Sequence, residues 1–153
     1  MQAYLALGTT ADDHNANLEW AREQLANTGI HVLAMSSVGE TGPAAGATEP
    51  RFLNQVLEID TDYRPSRLLT VLEEIEAAAE TRRREDEASA PLDISLLLYG
   101  QLTINRPGLI LPHPDLISRD FLLRGLTEVN PRLTDSISSL TAEQLLLQLN
   151  KEN

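Results

Sequence analysis

Short apolar runs along the chain alternate between two spacings, and their order leaves few folds open. Residues 2–8 read as a buried strand, with Tyr4, Leu5, Ala6 and Leu7 closed by Gly8. Thr10, Asp12 and Asp13 then offer N-cap candidates, Leu18, Ala21, Arg22 and Leu25 fall at helical spacing, and Gly29 supplies a stop. Residues 31–38 and 52–60 read as strands, separated by a Gly-, Pro- and Ala-rich stretch from Gly39 to Pro50 that is expected to be a loop. Pro65 suits a helix start, and Leu68, Val71, Leu72, Ile75 and Ala79 form one apolar stripe behind it. Arg82, Arg83 and Arg84 close that helix, where cations complement the macrodipole. The stretch from Glu85 to Pro91 is polar, and residues 92–99 then give the strongest strand signal, ended by Gly100.

Strand, helix, two strands, helix, strand is the order of a split βαβ, the ferredoxin-like arrangement of the α+β class. A mostly antiparallel sheet is expected, with two helices on one face and the other face left for loops and a ligand. Beyond this unit, turn residues Asn105, Arg106, Pro107 and Gly108 suggest a small hairpin over 101–111. A helix is expected over 118–129, stopped before Pro131. A last, C-terminal helix is expected from Thr141, where Gln144 completes a capping box and Leu145, Leu146 and Leu149 supply the apolar side. No internal repeat is evident, and 153 residues suit a single domain over 1–153.

Charge and composition narrow the function. A formal net charge of -11 argues against nucleic acid as a partner, because phosphate backbones are held by clustered Lys and Arg. A nucleotide site on such a chain needs local basic residues or metal ions to offset the background field. The absence of cysteine excludes disulfides, thiolate metal sites and cysteine nucleophiles. No apolar run reaches the length of a membrane span, and the first residues lack a basic leader, so a cytoplasmic location without a membrane partner is expected.

Four segments carry a resemblance. They are Tyr4-Leu5-Ala6-Leu7-Gly8-Thr9-Thr10; Ser36-Ser37 through Glu40-Thr41-Gly42-Pro43 with Phe52-Leu53-Asn54-Gln55-Val56; Leu92 through Gly100; and Leu111-Pro112-His113-Pro114 with Arg119-Asp120-Phe121-Leu122-Leu123. In this order and spacing they resemble the 6-hydroxymethyl-7,8-dihydropterin pyrophosphokinases of folate biosynthesis. Each segment alone is weakly specific; together they run to about residue 132. The resemblance implies transfer of pyrophosphate from ATP to the hydroxymethyl-dihydropterin, with Mg2+ as cofactor and small molecules as partners.

The resemblance also assigns residues. Phe52 and Phe121 match the aromatic pair that sandwiches the pterin, and Asn54 matches the amide that reads its edge. Thr41 and Pro43 lie in the loop that closes over the ring. Asp93 and Ser95 occupy the metal-binding triplet, whose i and i+2 side chains share one face of a strand. His113 and Arg119 match phosphate-contacting groups with a catalytic role, and Glu76 and Arg83 match nucleotide-binding positions. On residue type alone, Phe52 and Phe121 read as core, Asn54 as a partner for strand-edge backbone groups, Arg82 to Arg84 as helix-end charges, and His113 and Arg119 as braces for a turn.

Several positions depart from the family pattern. The triplet Asp93-Ile94-Ser95 has a hydroxyl where a second carboxylate is usual, and a neutral hydroxyl is a poorer ligand for a hard divalent ion. Ala90 stands where the family has an Arg, the loop 85–89 is acidic, and Gly108 aligns with another family Arg. The alternative expectation is therefore a catalytically impaired relative that keeps the fold and binds a pterin or a protein partner.

Overall fold

The structure is a computed structural model that describes residues 1–10, 16–41, 52–85, 92–116, 119–133 and 137–140, the side chains of 83–85 excepted. Its elements follow the expected order: β1 (Gln2–Thr10), α1 (Ala16–Asn27), β2 (His31–Met35), β3 (Gly39–Thr41), β4 (Phe52–Asp60), α2 (Pro65–Glu85), β5 (Leu92–Tyr99), β6 (Ile104–Arg106), β7 (Leu109–Leu111), a 3-10 turn (Pro114–Leu116) and α3 (Asp120–Val129). The main sheet runs β2-β4-β1-β5, every pair antiparallel, with β3 continuing the β2 edge against β4. This is the ferredoxin-like α+β arrangement. The helix expected from Thr141 and the part of the expected 39–50 loop beyond Thr41 lie outside the described residues.

Period-2 alternation decides what each face of the sheet does. One face presents Leu5, Leu7, Leu57, Ile59, Ile94 and Leu96, which meet Leu18, Ala21 and Leu25 of α1 and Leu68, Leu72 and Ile75 of α2 in one buried cluster. Burial of each such side chain is worth about 1.5–3 kcal/mol, and truncating one costs about 2–5 kcal/mol of a total near 5–15.

The second face changes character along its length. Tyr4, Val56 and Leu97 pack against Leu122 and Leu126 of α3 in a second cluster with Leu116, Ile137 and Leu140. One register step further the cross-strand row is Val56–Ala6–Ser95, and the next is Asn54–Gly8–Asp93. A polar cleft replaces the apolar contact there. The face expected to be left for loops and ligand is thus shared: α3 covers one end and the cleft opens at the other.

Two local readings change. The stretch from Gly39 begins as a strand, because Gly39, Glu40 and Thr41 pair with Asn54, Leu53 and Phe52. The single strand expected over 31–38 stops at Met35, because Ser36 turns inward. The Ser36 N–H donates to Val56 O at 2.8 Å, and the Val56 N–H donates to Ser36 Oγ at 2.8 Å, so a side-chain oxygen stands in for a ladder carbonyl. Gly108 lies in the turn between β6 and β7 with φ 82°, a conformation that costs a side-chain-bearing residue. An arginine on a strand is therefore not the role of this position.

Candidate active site

The cleft is assembled around the row Asn54–Gly8–Asp93 on three neighbouring strands. Directly opposed residues point the same way, so the amide of Asn54 and the carboxylate of Asp93 flank Gly8 on one face. A Cβ on Gly8 would stand 3.6 Å from Asn54 Oδ1 and 4.0 Å from Asp93 Cβ, so glycine keeps the floor between them open. Ser95 lies two residues from Asp93 on the same face, over Ala6.

Three adjoining cavities make up the cleft, and Asn54 and Phe121 line all of them. The most apolar, of about 320 Å³, brings Thr41, Phe52, Asn54, Asp93, Arg119 and Phe121 together. A narrower one adds Ser95, His113 and Asp115. The third lies between β4 and α3. Phe52 is 45% exposed on this cleft, which removes its reading as a core residue. Phe121 is half-buried, with its helix anchored beside it through Leu122. Asn54 Nδ2 donates to Thr41 Oγ1 at 2.6 Å, so this side of the amide engages a side chain on β3 rather than strand-edge backbone.

The other end of the cleft carries charge. Asp93 is exposed. His113 Nδ1 accepts the Asp115 backbone N–H at 3.1 Å, and the His113 backbone N–H donates to Leu97 O at 3.0 Å, fixing the residue to β5. Burial holds the His113 pKa below the usual value; Asp115 and Asp93 oppose the shift and Arg119 adds to it. The ring is thus neutral at pH 7, with Nδ1 as acceptor and Nε2–H as donor. Arg119 reaches Asp115 at 3.3 Å, but both side chains are exposed, so the pair is worth at most about 1 kcal/mol and leaves the guanidinium available to an anion.

Glu76 projects from α2 to the outer edge of β5, where it accepts the Ile94 N–H at 3.0 Å. Burial pushes its pKa up to about 7; the Ile94 N–H opposes this, while the charge and hydrogen bond of Asp93 and the charge of Glu73 add to it. Arg82 is engaged elsewhere. Its Nη1 donates to Asn17 Oδ1 at 3.1 Å and its guanidinium lies 5.2 Å from the centre of the Trp20 ring. Pro43, Ala90 and the side chain of Arg83 fall outside the described residues.

Sequence reasoning missed five contributors. Gly8 becomes a site residue only through its register with Asn54 and Asp93. Asp115 was detectable as the i–4 partner of Arg119. Arg124, Gly125 and Glu128 share the cleft side of α3 with Phe121, as spacings of three, four and seven residues allow. A further groove of about 300 Å³ runs along the outer edge of β5, between Leu69, Leu96, Ile110 and His113. Among the described residues no three His, Asp or Glu converge on a point that encloses a metal ion, and no helix is long and apolar enough to cross a membrane.

A family model described as 7,8-dihydro-6-hydroxymethylpterin-pyrophosphokinase matches residues 4–131. The 2-amino-4-hydroxy-6-hydroxymethyldihydropteridine pyrophosphokinase of Methylorubrum extorquens is 36% identical over 149 residues, covering 97% of this chain and 93% of that protein. The folic acid synthesis protein fol1 of Pneumocystis carinii is 29% identical over 138 residues, 90% of this chain but 19% of its own length. The mitochondrial folate synthesis bifunctional protein of Pisum sativum is 30% identical over 135 residues, 88% of this chain and 26% of its own. The chain thus spans about a fifth to a quarter of these two larger relatives.

Proposed function

This chain belongs to the 7,8-dihydro-6-hydroxymethylpterin-pyrophosphokinase family, and from that membership we propose that it transfers pyrophosphate from ATP to the hydroxymethyl oxygen of 6-hydroxymethyl-7,8-dihydropterin, releasing AMP, in folate biosynthesis. The observation that carries the reading is the row Asn54–Gly8–Asp93, which sets an amide and a carboxylate on either side of an open floor. A flat heterocycle read by Asn54 would place its substituent towards Asp93, where phosphates are handled.

On this reading Phe52 and Phe121 take the two faces of the pterin and exclude water, while Thr41 fixes the amide of Asn54. The neutral His113 donates its Nε2–H to a phosphate oxygen, and Arg119 pairs with another. The groove along β5 suits the nucleobase, since Leu69 and Ile110 offer apolar faces beside the outer strand edge.

Asp93 and Ser95 fit magnesium of the kind that keeps several waters and takes its remaining ligands from phosphates. That donor set, rather than an enclosed cage, agrees with the exposed Asp93 carboxylate. Bound there, magnesium would neutralise phosphate charge as the pyrophosphoryl group moves. Asp93 would orient the phosphates, and Ser95 would contribute a neutral oxygen.

The test is AMP release with ATP, magnesium and the pterin, coupled to pterin binding by calorimetry. Turnover together with pterin uptake supports the reading. The neutral Ser95 favours a second reading, in which pterin is bound with little turnover; uptake without AMP release would select it. A protein that takes up no pterin refutes both.

A further inference from the structure

We infer that Glu128 is a positioning residue for the pterin side of the cleft, acting through Ser37 to fix where α3 holds Phe121. The inference rests on the proposed stacking of the pterin against Phe121. Glu128 Oε1 accepts the Ser37 N–H at 2.7 Å, and Oε2 accepts the Ser37 hydroxyl at 3.0 Å. Both carboxylate oxygens therefore engage one residue 91 positions away in sequence. Two parallel charge-assisted bonds set orientation as well as distance.

Ser37 is a fixed post. Its neighbour Ser36 is tied to β4 by the paired bonds with Val56, and Ser36 O accepts Gln55 Nε2–H at 2.9 Å. Four residues on, the same segment carries Thr41, which holds Asn54. The clasp thus joins the strand segment behind Asn54 to the helix that bears Phe121.

Packing alone does not set this spacing at the cleft. The cavity between β4 and α3, of about 270 Å³, is lined by Ser37, Asn54, Phe121 and Glu128, so open volume lies beneath the helix where Phe121 projects. The close approach occurs at Gly125, where any Cβ would collide with the Val56 side chain. At the far end Asn130 Nδ2 donates to Tyr4 Oη at 3.0 Å. Leu122 and Leu126 seat α3 in the apolar cluster and Gly125 sets its closest approach, but the Phe121 side of the helix borders open volume. A small rotation about that seat would swing Phe121 across the slot, and the carboxylate clasp adds to the packing that opposes it.

Calorimetry on the full chain tests this, with the pterin and with magnesium-ATP titrated separately into wild type, Glu128→Ala, Glu128→Gln and Ser37→Ala. Glu128→Ala is expected to weaken pterin binding roughly tenfold and leave magnesium-ATP affinity unchanged. Glu128→Gln keeps the shape and one acceptor, so it should restore part of the loss, and Ser37→Ala should match that intermediate value. A variant carrying both Glu128→Ala and Ser37→Ala should lose no more than Glu128→Ala alone, because the two residues act as one unit. Pterin affinity of Glu128→Ala within twofold of wild type overturns the inference. So does a parallel loss for both ligands, which a merely structural contact would give. A wild type that binds no pterin overturns instead the reading on which the inference rests.

Discussion

The two ends of the cleft share β1, β4 and β5 yet are built to different degrees. At one end, the proposed ring slot, Thr41, Phe52, Asn54 and Phe121 line a single cavity. Asn54 is oriented by Thr41, Phe52 is exposed towards the slot, and Phe121 is carried by a helix docked on the sheet. At the other end, the proposed phosphate end, Asp93 shares its strand face with the hydroxyl of Ser95, Arg119 is exposed and shared with Asp115, and Arg82 is engaged with Trp20 and Asn17. Recognition of a flat heterocycle follows from shape and hydrogen bonding that the fold itself supplies. Neutralising a polyphosphate depends on a few individual charges, each of which can be lost while the fold persists.

Asp93→Ala should have the largest effect. Removing the carboxylate is expected to lower AMP release by about 1,000-fold and leave pterin affinity within about threefold, since no contact to the ring is lost. Retained turnover would place the phosphate chemistry elsewhere and erase the division. Asn54→Ala tests the opposite end. Losing the ring-edge partner and leaving Thr41 without its donor should weaken pterin binding by roughly 30-fold, about 2 kcal/mol, with magnesium-ATP affinity unchanged in the same titrations. If both affinities fell together, the two ends would be one coupled site.

Ser95→Asp should move the phosphate end in the favourable direction. A second carboxylate on the same strand face adds a hard anionic ligand, and magnesium-ATP affinity is expected to rise roughly tenfold. Pterin affinity should not follow. An unchanged calorimetric affinity for magnesium-ATP would count against Asp93 and Ser95 as the metal-holding pair.

The fold was legible because the strand and helix periods are clean and arrive in the order of a split βαβ. Leu5 and Leu7 on one face of β1, and Tyr4 and Ala6 on the other, already imply two sides with different partners. The candidate site was legible only through resemblance, since no spacing in the sequence ties Asn54 to Asp93; their meeting is a product of register across β1. What stayed hidden depends on single atoms. The inward turn of Ser36 ends β2 early through one hydroxyl, and the positive φ of Gly108 moves an aligned position off its strand. The cation–π contact of Arg82 with Trp20 requires two helices to be docked before it can be seen.

The smallest expected effect concerns Glu76, behind Asp93 at the edge of β5. Its pKa lies at about 7, against the ordinary 4.5, chiefly because it is half-buried, with the Asp93 carboxylate beside it. Between these values the folded chain holds the proton more tightly than the unfolded chain does. Protonated Glu76 therefore contributes stability that is complete below about pH 4.5 and is lost as pH rises through about 7. Glutamine at this position keeps an acceptor for the Ile94 N–H and has no proton to lose. In metal-free protein, Glu76→Gln should match the wild type near pH 4 and melt about 2–4 °C higher near pH 8, a modest gain because the group is half-exposed. Such a pH-dependent gap would show a carboxylate that is charged at a cost, chiefly of burial, beside Asp93. A gap of the same size at both pH values would trace the difference to packing instead.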